Sequence, residues 1–231
     1  MRDVVIIYGG DSVENEISTQ SGEGIFKNID QSKFCATLLN IKDLKVDLIK
    51  QDTVIFIAVH GLGGEDGETQ KLLANNGIKF TGSSEDSAKL CWDKISSKAL
   101  MQKNKIPTPP HKIIRKDEKL DLKDQFFLSR ESLFVKPNSN GSSFGVSKVT
   151  DFKLLDQAIK EARKFSDDVI IEEAYNLAEY TVGVLKGEAL EPLEIIANDN
   201  KGFYDYKAKY LSKNTKKVEV VDKEIKKELQ K

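Results

Sequence analysis

A lysine that closes a short apolar strand and opens a loop of small residues is where this chain first concentrates chemistry. Residues 136–148 read Lys-Pro-Asn-Ser-Asn-Gly-Ser-Ser-Phe-Gly-Val-Ser-Lys and follow Leu133, Phe134 and Val135. A loop built of glycine and serine, here with Ser142 and Ser143, lets backbone N–H groups come close to phosphate oxygens, and Lys136 adds a point charge. The spacing is neither Gly-x-x-x-x-Gly-Lys-Ser/Thr nor Gly-x-Gly-x-x-Gly, so it implies a nucleotide site of another build.

Four further patches sit at element ends. Gly9-Gly10-Asp11-Ser12-Val13-Glu14 leaves a carboxylate just past an apolar run, where an ordinary acid at a helix start would also fit. His60-Gly61-Leu62-Gly63-Gly64-Glu65-Asp66-Gly67 places one of two histidines at a second such edge. His111, after three prolines, reads as surface. Trp92-Asp93-Lys94 lies on a helix, where a solvated lysine fits equally. Phe203-Tyr204-Asp205-Tyr206-Lys207-Ala208-Lys209-Tyr210 is aromatic and basic without a core pattern, as expected of a loop that covers something.

The elements that must hold these residues alternate strand and helix. Val4–Tyr8, a weaker strand at 36–39, Thr53–Val59 and residues 79–81 read as strands, with helices at 18–28 and 69–75. This predicts an α/β fold with an open, mostly parallel sheet and ligands at the strand C-termini. Residues 87–103 read as one helix, followed by the stiff connector of Pro107, Pro109 and Pro110, which puts a boundary within 84–110. Residues 113–150 read as strands and loops, 152–164 as an amphipathic helix, and 169–171, 180–185 and 190–196 as strands. Lys186-Gly187 reads as a hairpin turn. Residues 199–217 read as a loop, and 222–231 as a helix whose apolar stripe needs a surface to cover it.

A net charge of −1 and the absence of any polybasic run beyond short lysine pairs argue against non-specific binding to nucleic acid or anionic membrane. Arginines number only four (Arg2, Arg115, Arg130, Arg163), so lysine must meet most phosphate charge. Cys35 and Cys91 lack metal spacing and read as small buried thiols in a reducing compartment. No charged-then-apolar leader opens the chain and no apolar run nears membrane length, so a soluble cytoplasmic protein is expected.

In order, these strings resemble the D-alanine–D-alanine ligases of the ATP-grasp superfamily. The match runs through Gly-Gly-x-Ser-x-Glu, His-Gly-x-Gly-Gly-Glu-Asp-Gly, Phe-Thr-Gly-Ser at 80–83, Asp-Lys at 93–94 and Pro-Thr-Pro-Pro at 107–110. It continues with Lys-Pro-x-x-x-Gly-Ser-Ser-x-Gly at 136–145 and Phe-Tyr-Asp-Tyr-x-Ala-Lys-Tyr at 203–210. The resemblance implies a doubly wound parallel-sheet domain (1–87), a central lid domain (88–171) and the start of a C-terminal ATP-grasp domain (172–231) that includes the lid loop 199–217. It implies ATP and Mg²⁺ as cofactors, D-alanine as substrate, a cytoplasmic homodimer, and a dipeptide made through an acyl phosphate for peptidoglycan.

By the same resemblance Glu14 holds the ammonium of the first D-alanine, with Ser142 and Tyr210 as hydrogen-bonding partners. Lys94, Lys136 and Lys209 grip the ATP phosphates beside Ser142 and Ser143. Glu172, Glu173, Tyr175 and Glu179 line the adenine and ribose, and His60 stands near the substrate carboxylate. The chain departs from the pattern at Asp11, at Phe144 and in the acidic linker Glu172-Glu173. The family's metal-binding acids are expected beyond residue 231, so the ATP-grasp fold reads as incomplete and this chain as inactive or weak in turnover. Two alternatives stay open: a nucleotide-binding remnant without catalysis, and a related ligase forming a D-alanyl ester.

Overall fold

The apolar run at Val4–Ile7 forms the middle of strand β1 (Arg2–Tyr8), and Ile6 and Ile7 are both buried. Neighbouring residues of a strand point to opposite faces, so both faces of β1 are covered, as a parallel sheet requires. The computed structural model describes residues 1–121, 123–197 and 206–231, Lys207 by its backbone alone. The chain divides into two compact units, Met1–Glu173 and Ala174–Lys231, each described by itself.

The first unit begins with β1, helix α1 (Asn15–Asn28), β2 (Phe34–Asn40), β3 (Val54–Ile57), helix α2 (Glu68–Asn75) and β4 (Lys79–Phe80). The four strands pair in parallel in the order β2-β1-β3-β4. Ile7, Ile55, Val59, Leu73 and Ile78 form the core on one face, and Val4, Ile6 and Ala58 on the other. The Gly-rich turns after β1 and β3 therefore lie side by side at one sheet edge.

Helices α3 (Glu85–Trp92) and α4 (Lys94–Lys103) lead to a second sheet. It contains β5 (His111–Ile114), β6 (Leu133–Pro137), β7 (Ser147–Val149) and β8 (Val169–Glu173), antiparallel in the order β5-β8-β6-β7. The short helix α5 (Gln125–Leu128) and helix α6 (Leu155–Ala162) close its core. Phe127, Leu155, Ala158, Ile159 and Ala162 are buried against Leu133, Val135 and Ile171.

In the second unit β9 (Glu179–Thr181), β12 (Leu193–Ile196) and β13 (Lys216–Glu219) form an antiparallel sheet. Strands β10 (Val184–Leu185) and β11 (Glu188–Ala189) make a hairpin. Lys186 and Gly187 at its tip both have positive φ, 54° and 84°, the twist that matches a two-residue hairpin turn. Helix α7 (Lys223–Leu229) follows β13 and has no buried residue among those described.

Several expectations change. The helix read over 87–103 is two helices. Asp93 leaves helical geometry at ψ 102°, its side chain accepts from the Ser96 N–H at 2.7 Å, and the Lys94 N–H turns to the Asn138 carbonyl at 3.2 Å. A tertiary partner thus replaces one intrahelical bond. The strand read over 180–185 breaks at Gly183, whose carbonyl accepts from the Leu190 N–H at 2.7 Å. Cys35 and Cys91 are exposed, not buried, and neither packs into a core cluster. His111 is half-buried in β5, where it pairs in register with Glu172. Residues 199–205 of the lid loop, including Phe203, Tyr204 and Asp205, lie outside the described residues. Lys207–Leu211 forms a π-type helical turn where a loop was expected.

Candidate active site

Glu14 stands where three loops of the first unit converge. It is the residue before α1, and its carbonyl accepts from the Ser18 N–H at 2.9 Å and the Ser18 hydroxyl at 3.1 Å. Three serines stitch this helix start to the turn after β3. The Ser12 hydroxyl donates to the His60 carbonyl at 3.0 Å, and the His60 N–H donates to Ser18 Oγ at 2.9 Å. Ser21 Oγ lies 3.0 Å from His60 Nε2. The small hydroxyl side chains that dilute the apolar pattern of α1 are thus the residues that fix its N-terminus.

The Glu14 side chain is buried, at 2% exposure, between two glycine loops. A Cβ added at Gly61 would fall 2.5 Å from Glu14 Oε2, and one at Gly141 would fall 2.7 Å from the same atom. The Ser142 hydroxyl donates to Glu14 Oε1 across 128 positions of chain. Glycine is required at 61 and 141 because the carboxylate occupies the space a side chain would need.

The loop that carries Ser142 is strained and braced. Ser142 and Ser143 both have left-handed φ, 49° and 63°. Such geometry costs an ordinary residue about 1–2 kcal/mol and persists where neighbours over-determine it. Asn138, itself buried, supplies much of the bracing. Its Oδ1 accepts from the Ile95 N–H at 2.9 Å and its Nδ2 donates to Asp93 at 2.8 Å. Burial pushes the Asp93 carboxyl up, but the Ser96 N–H and the Asn138 amide outweigh it and hold the group below the usual range. Phe144, a departure from the pattern, packs its ring 6.3 Å from that of Phe165.

The lysines divide by role. Lys94 Nζ donates to the Asn140 carbonyl at 2.7 Å, so in this structure its ammonium braces the loop rather than standing clear for a phosphate. Lys136 Nζ lies 2.5 Å from Glu172 Oε2 and 5.4 Å from the centre of the Phe134 ring. Lys148 approaches the same ring at 5.8 Å. Glu172 is buried, and Lys98 Nζ lies 2.7 Å from its other oxygen. Burial pushes the Glu172 carboxyl up, yet the charges and hydrogen bonds of Lys136 and Lys98 win and lower it. Glu173 pairs with Arg130 at 3.2 Å.

His60 Nδ1 lies 3.4 Å from Glu65 Oε1. That hydrogen bond raises the imidazole above its usual range, against burial and with help from the charges of Glu65 and Glu14. Beside it, at the ends of β3 and β4, opens a cavity of about 420 Å³ lined by His60, Glu65, Gln70, Ser83 and Trp92 among others.

The structure therefore brings Glu14, His60, Ser142, Ser143, Lys94, Lys136, Glu172 and Glu173 into one unit and joins Glu14 directly to Ser142. Tyr175, Glu179, Lys209 and Tyr210 belong to the second unit, where the Tyr210 ring lies 5.1 Å from that of Tyr206 at a tilt of 55°. Sequence reasoning missed Lys98, Phe134 and Lys148. The spacing of Lys94 and Lys98, four residues apart on one helix, was the available signal for the first. Among the described residues no group of three His, Cys, Asp or Glu could hold a metal ion, and no helix is long and apolar enough to cross a membrane.

Comparison with known proteins points one way. The family model described as "D-ala D-ala ligase C-terminus" matches residues 100–231. The D-alanine–D-alanine ligase of Methylacidiphilum infernorum is 34% identical over 209 residues, which span 90% of this chain and 66% of that protein. The crystal structure of D-alanyl-alanine synthetase A from Vibrio cholerae superposes with a TM-score of 0.83 at 25% identity, over 99% of this chain and 77% of that one. The ATP complex of the D-alanine–D-alanine ligase from Bacillus anthracis gives 0.79 at 28% identity, over 95% and 71%.

Proposed function

The chain belongs to the D-alanine–D-alanine ligase family, and on that premise we propose that the protein joins two D-alanines, driven by ATP, to supply a peptidoglycan precursor. The observation that carries this reading is the buried Glu14 carboxylate held by Ser142 from the lysine-bearing loop. A carboxylate there suits the ammonium of an amino acid, and its position past the end of a parallel strand suits a ligand crevice.

In the reaction, one carboxylate oxygen of the first D-alanine attacks the γ-phosphorus of ATP, and ADP leaves. The amine of the second D-alanine then adds to the acyl carbon of the D-alanyl phosphate. A tetrahedral oxyanion forms, the amine nitrogen gives up a proton to solvent, and collapse makes the peptide bond and expels phosphate. Negative charge grows on oxygen in both steps, so fixed cations and N–H donors supply most of the acceleration. Lys136 is assigned to that charge, with the Ser142–Ser143 loop bringing backbone close to the phosphates. Lys94 holds the loop in place. His60, held by Glu65 and close to the Glu14 corner, is assigned to the substrate carboxylate.

Tyr175, Glu179, Lys209 and Tyr210 keep the roles that the family resemblance implies. ATP phosphates ordinarily travel with a divalent cation such as Mg²⁺. The described residues do not fit one, and no step above passes through a metal. A cytoplasmic homodimer completes the reading.

The test is ADP formation by this protein with D-alanine, compared with L-alanine and with Lys136→Ala. D-alanine should be the substrate, and the variant should be slower by about 10²-fold or more. ADP formation that ignores both the alanine and the substitution contradicts the proposal.

A further inference from the structure

Lys98 lies on α4 with its side chain only 8% exposed, and its Nζ is 2.7 Å from Glu172 Oε1. The same ammonium donates to Thr108 Oγ1 at 2.6 Å. The other Glu172 oxygen lies 2.5 Å from Lys136 Nζ. Two ammonium groups thus share one buried carboxylate, and the group carries one positive charge in excess. Of the three side chains, Lys136 is the one that reaches solvent, at 27% exposure against 7% for Glu172.

A buried ion pair is a poor source of stability compared with apolar packing, so this arrangement calls for another reason. A Lys136–Glu172 pair on its own would be neutral, and Glu172 would compete with any phosphate for the Lys136 ammonium. Lys98 engages the carboxylate from the buried side, its own side chain being only 8% exposed. We propose that Lys98 is a positioning residue: it occupies Glu172 from behind and leaves the charge of Lys136 available to a phosphate. This rests on the reading above that Lys136 meets ATP.

Two measurements separate this proposal from that reading. The first uses no nucleotide: acylation of Lys136 by an amine reagent, followed by peptide mass spectrometry. In Lys98→Met, Glu172 turns wholly to Lys136, and labelling should slow by about threefold or more. Lys98→Arg should label like the parent, and Lys98→Met with Glu172→Gln should label at least as fast. The second is calorimetric titration with ATP and with adenosine. Lys98→Met should weaken ATP by about tenfold while leaving adenosine unchanged, and the double variant should recover much of the loss.

Unchanged Lys136 labelling in a folded Lys98→Met protein overturns the proposal. So does a double variant that binds ATP as weakly as Lys98→Met, or an equal loss of ATP and adenosine. If Lys98→Met does not fold, Glu172→Gln reads the same charges from the other side. Faster labelling of Lys136 supports the proposal there, and unchanged labelling overturns it. A parent protein that shows the labelling pattern but binds no ATP retains the Lys98 arrangement and loses the ligase reading.

Discussion

Gly141→Ala adds a single methyl group beside the Glu14 carboxylate, and the structure allows its effect to be worked through. The new Cβ would lie 2.7 Å from Glu14 Oε2 and 3.3 Å from Oε1 and Cδ. Glu14 has little room to retreat. It is 2% exposed, the Gly61 backbone closes the opposite approach, and Ser142 holds the other oxygen. Gly141 is not among the glycines with positive φ, so backbone strain does not confuse the result. The carboxylate or the loop must shift by several tenths of an ångström, an overpacking that costs about 1–3 kcal/mol. A charged hydrogen bond is worth about 1.5–3 kcal/mol, so a displaced Glu14 should bind D-alanine about tenfold more weakly or worse. Any accompanying loss of ATP affinity reads how far the Ser142–Ser143 loop, which Lys94 braces through the Asn140 carbonyl, moves with the carboxylate. Separate calorimetric titrations with D-alanine and ATP read the two effects, and thermal melts check the fold. Gly63→Ala is the control, because a Cβ there meets nothing within 4 Å and tests only the strain of φ 85°. Unchanged D-alanine affinity in a folded Gly141→Ala protein would refute the claim that these loops fix Glu14.

Two further predictions use other parts of the first unit. Gly22→Ala places a Cβ 2.6 Å from Tyr8 Cβ and should destabilise by about 1–3 kcal/mol, whereas Gly24→Ala meets nothing within 4 Å. The latter, in the interior of α1, should stabilise by about 0.5–1 kcal/mol, so thermal melts of the two should move in opposite directions. Glu65→Gln removes the main influence that raises His60, so the His60 titration followed by NMR should fall toward the ordinary histidine value. Because the folded value is raised, this pair stabilises the protein below the unfolded histidine value, about 6.5, and fades as pH rises through the raised one. Both side chains are substantially exposed, so the loss should be small next to the titration shift.

The positions of the glycine loops were legible because apolar runs ending in glycine mark strand ends, and β1 and β3 both obeyed that rule. Glu14 and Ser142 were legible only through their place in a string of motifs. Nothing within ten residues of either betrays a contact across 128 positions. The break at Asp93 was hidden because helix propensity is local, while the Asn138 carbonyl that takes the Lys94 N–H comes from the second sheet. Lys98 was hidden for a related reason. A lysine on a helix reads as solvated until its acid, here on β8, is folded against it. Glu172 was assigned by resemblance to adenine, and its engagement by lysines on both oxygens was not legible.

The most direct measurement is a calorimetric titration of D-alanine into the parent protein and into Glu14→Gln, which keeps shape and removes charge. The parent should bind D-alanine, and the variant about tenfold more weakly or worse, with ATP affinity the same in both. Equal D-alanine affinity in the two proteins would contradict the account at its centre.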